Sequence, residues 1–80
     1  MVTSEGVPLI VPQMGVVEDV VILQWLVPSG AEVEEGQRVV VVETEKAETE
    51  LESPASGQIE ILIDVSDREV PVGSTLARIV

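Results

Sequence analysis

Lys46 is the residue whose type and position most clearly point to chemistry. It is the only lysine in the 80-residue chain, and Glu43, Glu45 and Glu48 surround it in sequence. A nucleophilic or Schiff-base lysine needs its pKa lowered by burial or by neighbouring cations. Nearby carboxylates favour the charged ammonium form instead, so Lys46 is either a solvated lysine that offsets local acidity or a residue that another enzyme must first modify.

The composition excludes several other kinds of function. The chain has no His and no Cys, which removes His-based triads, thiolate nucleophiles, imidazole or thiolate metal sites and disulfides. Four Lys and Arg against fifteen Asp and Glu give a net charge of −11. Nucleic acid and anionic membranes are therefore disfavoured partners, whereas basic protein surfaces are favoured. We expect no catalytic residue and no metal site.

The elements that must position Lys46 are predicted to be short β-strands. Seventeen of the 36 hydrophobic residues are valine, a β-branched residue that favours strands. Apolar and acidic residues alternate over 47–52, which is typical of a strand with one wet face. The predicted strands are Val7–Val11, Val20–Val27, Arg38–Glu43, Ala47–Leu51, Gln58–Ile63 and Leu76–Val80, with shorter pieces near Val33 and near Glu69–Val70.

An internal repeat in the chain indicates how these strands are arranged. Pro12 and Gly15 recur as Pro54 and Gly57, 42 positions later. A second set of residues recurs 37 positions later, with Val33, Gly36 and Val39 matching Val70, Gly73 and Leu76. The difference predicts extra length in the first half, between Gly15 and Val33. Two similar halves must pack face to face, so the sequence predicts an all-β flattened barrel or sandwich of two four-stranded antiparallel sheets with quasi-twofold symmetry.

The segment from Thr44 to Ala47 is predicted to be a hairpin corner between two of these strands. It contains neither Gly nor Asn-Gly, so its central residues need no positive φ. A type I turn with Glu45 and Lys46 at its centre is the simplest choice. Both central side chains would then point into solvent, with Lys46 at the tip.

The sequence around this corner resembles the lipoylation site of lipoyl domains. The pentapeptide is Glu43-Thr44-Glu45-Lys46-Ala47, with Gly36 ten residues before the lysine and Gly57 eleven residues after it. Ser53-Pro54 and Trp25-Leu26-Val27 are also in register with the family. The resemblance covers Val7 to Val80, which implies a lipoyl domain at 7–80 preceded by a flexible segment at 1–6. Glu45 departs from the family, which usually has aspartate before the lysine.

The resemblance implies a role for each matching residue. Lipoic acid would be amide-linked to Lys46, and Gly36 and Gly57 would form structural turns. Residues expected to be recognised by the lipoylating enzyme and by partners are Glu43, Thr44, Glu45 and Ala47, together with a loop made of Met14, Gly15, Val16, Val17 and Glu18. The two valines of that loop are more apolar than is usual for the family.

The resemblance also implies a function as a substrate carrier and not as an enzyme. A lipoyl ligase or transferase would load the domain, and the lipoyl arm would serve a thiamine-dependent 2-oxo acid decarboxylase, an acyltransferase core and dihydrolipoamide dehydrogenase. The domain is expected to be part of an acyltransferase component, monomeric when isolated, and cytoplasmic, or in the mitochondrial matrix if it comes from a eukaryote.

Two alternatives remain open at this point. Biotin carrier domains share the fold, but their site resembles Ala-Met-Lys-Met, whereas Glu45 and Ala47 flank Lys46 here. A barrel-sandwich module that is never modified is the second alternative, and the intact motif around Lys46 argues against it.

Overall fold

The computed structural model describes residues 6–13, 15–45, 47–65 and 69–80, and all regular structure in these ranges is β-strand. The predicted strands are present, with ends shifted by at most two residues. Within the same ranges there is no helix with the length and apolarity needed to span a membrane. The strands are β1 (Val7–Ile10), β2 (Asp19–Trp25), β3 (Glu32–Val33), β4 (Arg38–Glu43), β5 (Glu48–Glu52), β6 (Gly57–Ile61), β7 (Glu69–Pro71) and β8 (Thr75–Ile79).

The strands form two four-stranded sheets, which confirms the predicted fold class. One sheet has the order β1-β8-β6-β3 and the other has the order β5-β4-β2-β7. All of their strand pairs are antiparallel. The two sheets do not join into a closed barrel, so the molecule is a sandwich with a flattened-barrel shape.

Branched aliphatic side chains fill the space between the sheets. Seven valines of the described residues are buried there, beside larger residues such as Ile22, Ile59 and Leu76. The alternation in β5 has the predicted result, because Leu51 is buried whereas Glu48, Glu50 and Glu52 are exposed. Burial of this branched aliphatic surface supplies the main driving force for folding.

The hydrogen bonds repeat between the two halves, as the quasi-twofold symmetry predicts. The Gly36 N–H donates to the Ser53 carbonyl at 2.9 Å, and the Gly73 N–H donates to the Val11 carbonyl at 2.9 Å. Two further equivalent bonds close the turns, from Gln37 N to Glu34 O at 3.0 Å and from Ser74 N to Pro71 O at 3.1 Å.

The structure corrects the predicted position of the extra length in the first half. Val33 pairs with Gly57, and Val70, which is 37 positions after Val33, pairs with Val20. Gly57 is therefore equivalent to Val20 and not to Gly15. Eight residues separate Val11 from Val20, whereas three separate the equivalent Ser53 from Gly57. The five additional residues thus lie within 12–19, before β2 begins.

Candidate functional site

The β4–β5 hairpin brings together the ends of the predicted attachment motif. Glu43 pairs with Glu48 as the last residues of the ladder. Beyond them, the Thr44 N–H donates to the Ala47 carbonyl at 2.8 Å, and the Ala47 N–H donates to Thr44 Oγ1 at 3.2 Å. The corner is thus closed by backbone and side-chain bonds of Thr44. Lys46 and the predicted turn type at its centre lie outside the described residues.

β-Branched residues explain why this hairpin extends straight to its corner. The run Val39–Val42 favours an extended strand, and three of its four valines are buried. Thr44 follows directly, and its short hydroxyl side chain can bond to nearby backbone groups. The corner therefore stands on a ladder that is fixed by burial rather than by the corner itself.

A row of carboxylates crosses the sheet beside the corner. Glu48 pairs with Glu43, Glu43 pairs with Val21, and Val21 pairs with Glu69. The three glutamates are exposed. Because neighbouring positions in such a row are close enough to interact, the negative charge of the row is concentrated at this end of the sheet.

The loop before β2 lies against the corner and forms a notch with it. This notch of about 290 Å³ is lined by Glu45 of the corner, by Glu69, and by Val16, Val17, Glu18 and Asp19 of the loop. Val17 packs against the core, and the Glu18 carbonyl accepts a bond from Val72 N at 2.8 Å. Val16 is 89% exposed. The loop is thus anchored at 17–18 and presents Val16 to solvent.

The structure therefore brings several of the predicted recognition residues together. Val16, Val17 and Glu18 meet Glu45 in the notch, and Gly15 is next to them in the chain. Met14 lies outside the described residues. Whether these residues are recognised by a partner remains a prediction.

Asp19 and Glu69 also line the notch, and the sequence analysis did not identify them. Asp19 directly follows the predicted loop, so a loop extended by one residue would have included it. Glu69 is distant in sequence and reaches the notch only because β7 pairs with β2. No local motif signals that pairing.

The corner end of the molecule is acidic and has no cation among the described residues. Its carboxylates are Glu18, Asp19, Glu43, Glu45, Glu48 and Glu69. The described arginines are paired elsewhere, Arg38 with Glu50 at 3.2 Å and Arg78 with Glu60 at 2.6 Å. Within 6–13, 15–45, 47–65 and 69–80 no group of acidic residues is arranged to hold a metal ion. The arrangement suits long-range attraction of basic surfaces.

The two glycines predicted to form structural turns do not line the notch. Gly36 has a φ of 88° and lies past the Arg38–Glu52 end of the β4–β5 ladder, opposite the corner. Gly57 has a φ of 151°, and a Cβ placed on it would lie 2.5 Å from the Val80 carbonyl oxygen. Both backbones thus have a conformation that favours glycine.

The site as described presents a residue and does not enclose a substrate. The corner is exposed, and the acidic notch beside it offers no nucleophile among the described residues. A rigid sandwich with a protruding, well-fixed corner can hold a covalently attached group away from its own surface, where other proteins can reach it.

Comparisons with known proteins give the family. A family described as "Biotin-requiring enzyme", whose domains attach biotin or lipoate, matches residues 7–79. The chain is 36% identical over 77 residues to the dihydrolipoyllysine-residue acetyltransferase component of the pyruvate dehydrogenase complex of Mycobacterium bovis, which covers 95% of this chain. It is 39% identical over 79 residues to the protein of the same name from Corynebacterium glutamicum, which covers 96% of this chain.

A further relative belongs to a different system. The acetyltransferase component of the acetoin cleaving system of Pseudomonas putida is 38% identical over 56 residues, or 70% of this chain. The chain spans only 14%, 12% and 15% of the lengths of the three relatives. It therefore corresponds to one domain of much longer proteins. The chain belongs to the biotin/lipoyl-attachment family, in which it is a lipoyl carrier domain and not itself an enzyme.

Proposed function

We propose that Lys46 carries lipoate as an amide and that the loaded domain moves acyl groups and electrons between the active sites of a 2-oxo acid dehydrogenase complex. The observation that supports this most is the corner itself. Thr44 and Ala47 close a hairpin at the one position where the chain has a lysine, within a family whose relatives are named for a dihydrolipoyllysine residue.

The lysine supplies its amine and nothing more. Amide formation consumes the ammonium group and changes the net charge of the chain from −11 to −12. The dithiolane of lipoate, when attached, supplies the disulfide that is reductively acylated and later reoxidised. The protein contributes a fixed corner that several enzymes recognise, and its tether raises the local concentration of the cargo to about millimolar for a short flexible linker.

The partners follow from this cycle. A lipoyl ligase or transferase loads Lys46, a thiamine-dependent decarboxylase acylates the arm, the acyltransferase core takes the acyl group, and dihydrolipoamide dehydrogenase reoxidises the dithiol. The carboxylates at the corner steer basic surfaces of these enzymes towards it, an effect that salt weakens. We place this cycle in the cytoplasm of a bacterium, the kind of organism in which the relatives occur.

Co-expression with a lipoyl ligase and lipoic acid tests the proposal. The intact mass should rise by one lipoyl increment, and peptide mapping should place it on Lys46. Because Lys46 is the only lysine, Lys46→Arg leaves no side-chain amine and should abolish the increment while leaving the fold intact.

A parallel reaction with a biotin ligase distinguishes the main alternative. A biotin increment on Lys46 would assign the chain to the biotin carriers instead. No increment in either reaction, from a sample that is folded by its amide spectrum, would contradict the carrier function and leave an unmodified structural module.

A further inference from the structure

An apolar groove lies on the molecule away from the corner, and the proposed function does not use it. Four exposed apolar side chains line it, and their exposures are 37% for Leu23, 41% for Leu26, and 51% for both Leu62 and Val65. The groove has a volume of about 650 Å³. Scattered exposed apolar residues are ordinary, but several that converge on one concave surface indicate a binding site.

Hydrogen bonds across the groove hold its two walls in place. The indole Nε1 of Trp25 donates to the Ile63 carbonyl at 3.0 Å, and the Ile61 N–H donates to Ser29 Oγ at 3.1 Å. Each bond joins the segment that ends β2 to the segment that follows β6. The half-buried Trp25 also lines the groove, so a bound side chain would meet a rigid aromatic surface that is already oriented.

Acidic residues flank the apolar surface. Asp64 lines the groove, and a second cavity that shares Leu23 and Leu26 with it is lined by Glu48 and Glu50. Among the described residues, the ion pairs join Arg38 to Glu50 and Arg78 to Glu60, so neither Glu48 nor Asp64 meets a described cation. An occupant with positive charge beside its apolar contacts would complement this rim.

The charge of the chain argues against a second copy as the occupant. Two copies meeting at this groove would place acidic rims together, each on a chain with a net charge of −11. Such self-repulsion disfavours association. The volume is typical of pockets that receive a few side chains and not a whole folded surface.

We propose that this groove binds a short basic segment of a partner polypeptide, with two or more aliphatic side chains as anchors. The groove is separate from the corner, because Leu26 lies five residues along β2 from Val21, the partner of Glu43. That separation is about 17 Å at about 3.3 Å per residue. A partner bound here leaves the corner free, and the inference does not rest on the proposed function.

Binding of designed peptides to the isotopically labelled chain tests this inference. The probe is an acetylated ten-residue peptide in which Leu alternates with Lys, and the controls replace either every Leu with Ser or every Lys with Glu. The Leu/Lys peptide should shift the amide signals of Leu23, Leu26, Leu62 and Val65. It should also change the fluorescence of Trp25, the only tryptophan in the chain.

Substitution of exposed residues localises the binding. Leu62→Ser should weaken binding of the Leu/Lys peptide at least tenfold, whereas Val7→Ser, which removes a similarly exposed apolar residue outside the groove, should leave it unchanged. Lipoylation of Lys46 should be the same in both variants, which separates this inference from the proposed function.

Several outcomes would overturn the inference. Equal binding of the Ser/Lys peptide would mean attraction by charge alone, and equal binding of the Leu/Glu peptide would remove the role of the acidic rim. Shifts at the groove that grow with protein concentration in the absence of peptide would identify a second copy as the occupant. Unchanged affinity of Leu62→Ser would place the binding elsewhere.

Discussion

The β4–β5 ladder and the β8–β1 ladder are the same structure put to different uses. Val40 pairs with Leu51 in the first and Ala77 pairs with Leu9 in the second, and each ladder has one irregularity in its register, at equivalent positions. The first ladder is closed by Thr44 and Ala47, whereas the equivalent end of the second leads to the two ends of the domain. The frame is therefore common to both halves, and only what closes it differs.

Charge divides the two halves further. Glu43 and Glu48 end the first ladder, while the equivalent residues of the second are Val80 and Gly6, which carry no side-chain charge. The five additional residues of the first half also lie beside the corner. The features assigned to recognition are thus departures from the symmetry, and the features assigned to stability are those that the two halves share.

Gly57→Val should give the largest effect. Val20 is the equivalent residue and is a buried valine, but Gly57 has a φ of 151° and lies where a Cβ would be 2.5 Å from the Val80 carbonyl oxygen. Strain and overlap together should lower the free energy of unfolding by about 3 kcal/mol or more. Urea unfolding followed by Trp25 fluorescence measures it, with Gly57→Ala as a milder variant. An unchanged midpoint would show that the two positions are interchangeable after all.

Gly36→Val should have a smaller effect. The backbone there is also left-handed, with a φ of 88°, but no atom lies within 4 Å of the position that a Cβ would take. Only conformational strain remains, so we expect a loss of about 1–2 kcal/mol. Gly36→Asn should recover part of it, since Asn adopts this conformation more readily. A loss as large as that of Gly57→Val would mean that overlap is not what distinguishes the two sites.

The loop without a counterpart in the second half should separate stability from recognition. Val17 is half-buried against the core and Val16 is exposed. Val17→Ala should cost about 1 kcal/mol, since it withdraws part of two carbon atoms' worth of burial. Val16→Ala should leave unfolding unchanged but slow lipoylation or reductive acylation. Equal effects of the two variants in both assays would contradict the division of this loop.

Local pattern determined most of the fold, but not the contacts between distant strands. Alternation over 47–52 and the breaks at Gly and Pro were sufficient to place the strands. The match of Gly15 to Gly57 was wrong because it compared residue types, whereas equivalence depends on pairing partners such as Val20 and Val70. Glu69 joined the notch through that same pairing, which leaves no local trace in the sequence. The attachment motif was found because it is contiguous.

Glu48→Gln should give the smallest effect and should have the opposite sign. Glu43 and Glu48 face each other directly, and like charges in that arrangement destabilise a sheet by roughly 0.2–1 kcal/mol. Removing one charge should raise the free energy of unfolding at low salt by about a few tenths of a kcal/mol. The gain should vanish in about 0.5 M salt, where screening acts over a few ångströms. Glu32→Gln is the matched control, because Glu32 pairs with the neutral Gln58. A gain that persists at high salt, or an equal gain in the control, would show that the acidic pair at the corner carries no electrostatic cost. If the gain disappears with salt as expected, the corner keeps two facing carboxylates at the expense of stability, which fits a role in steering partners and not in holding the hairpin together.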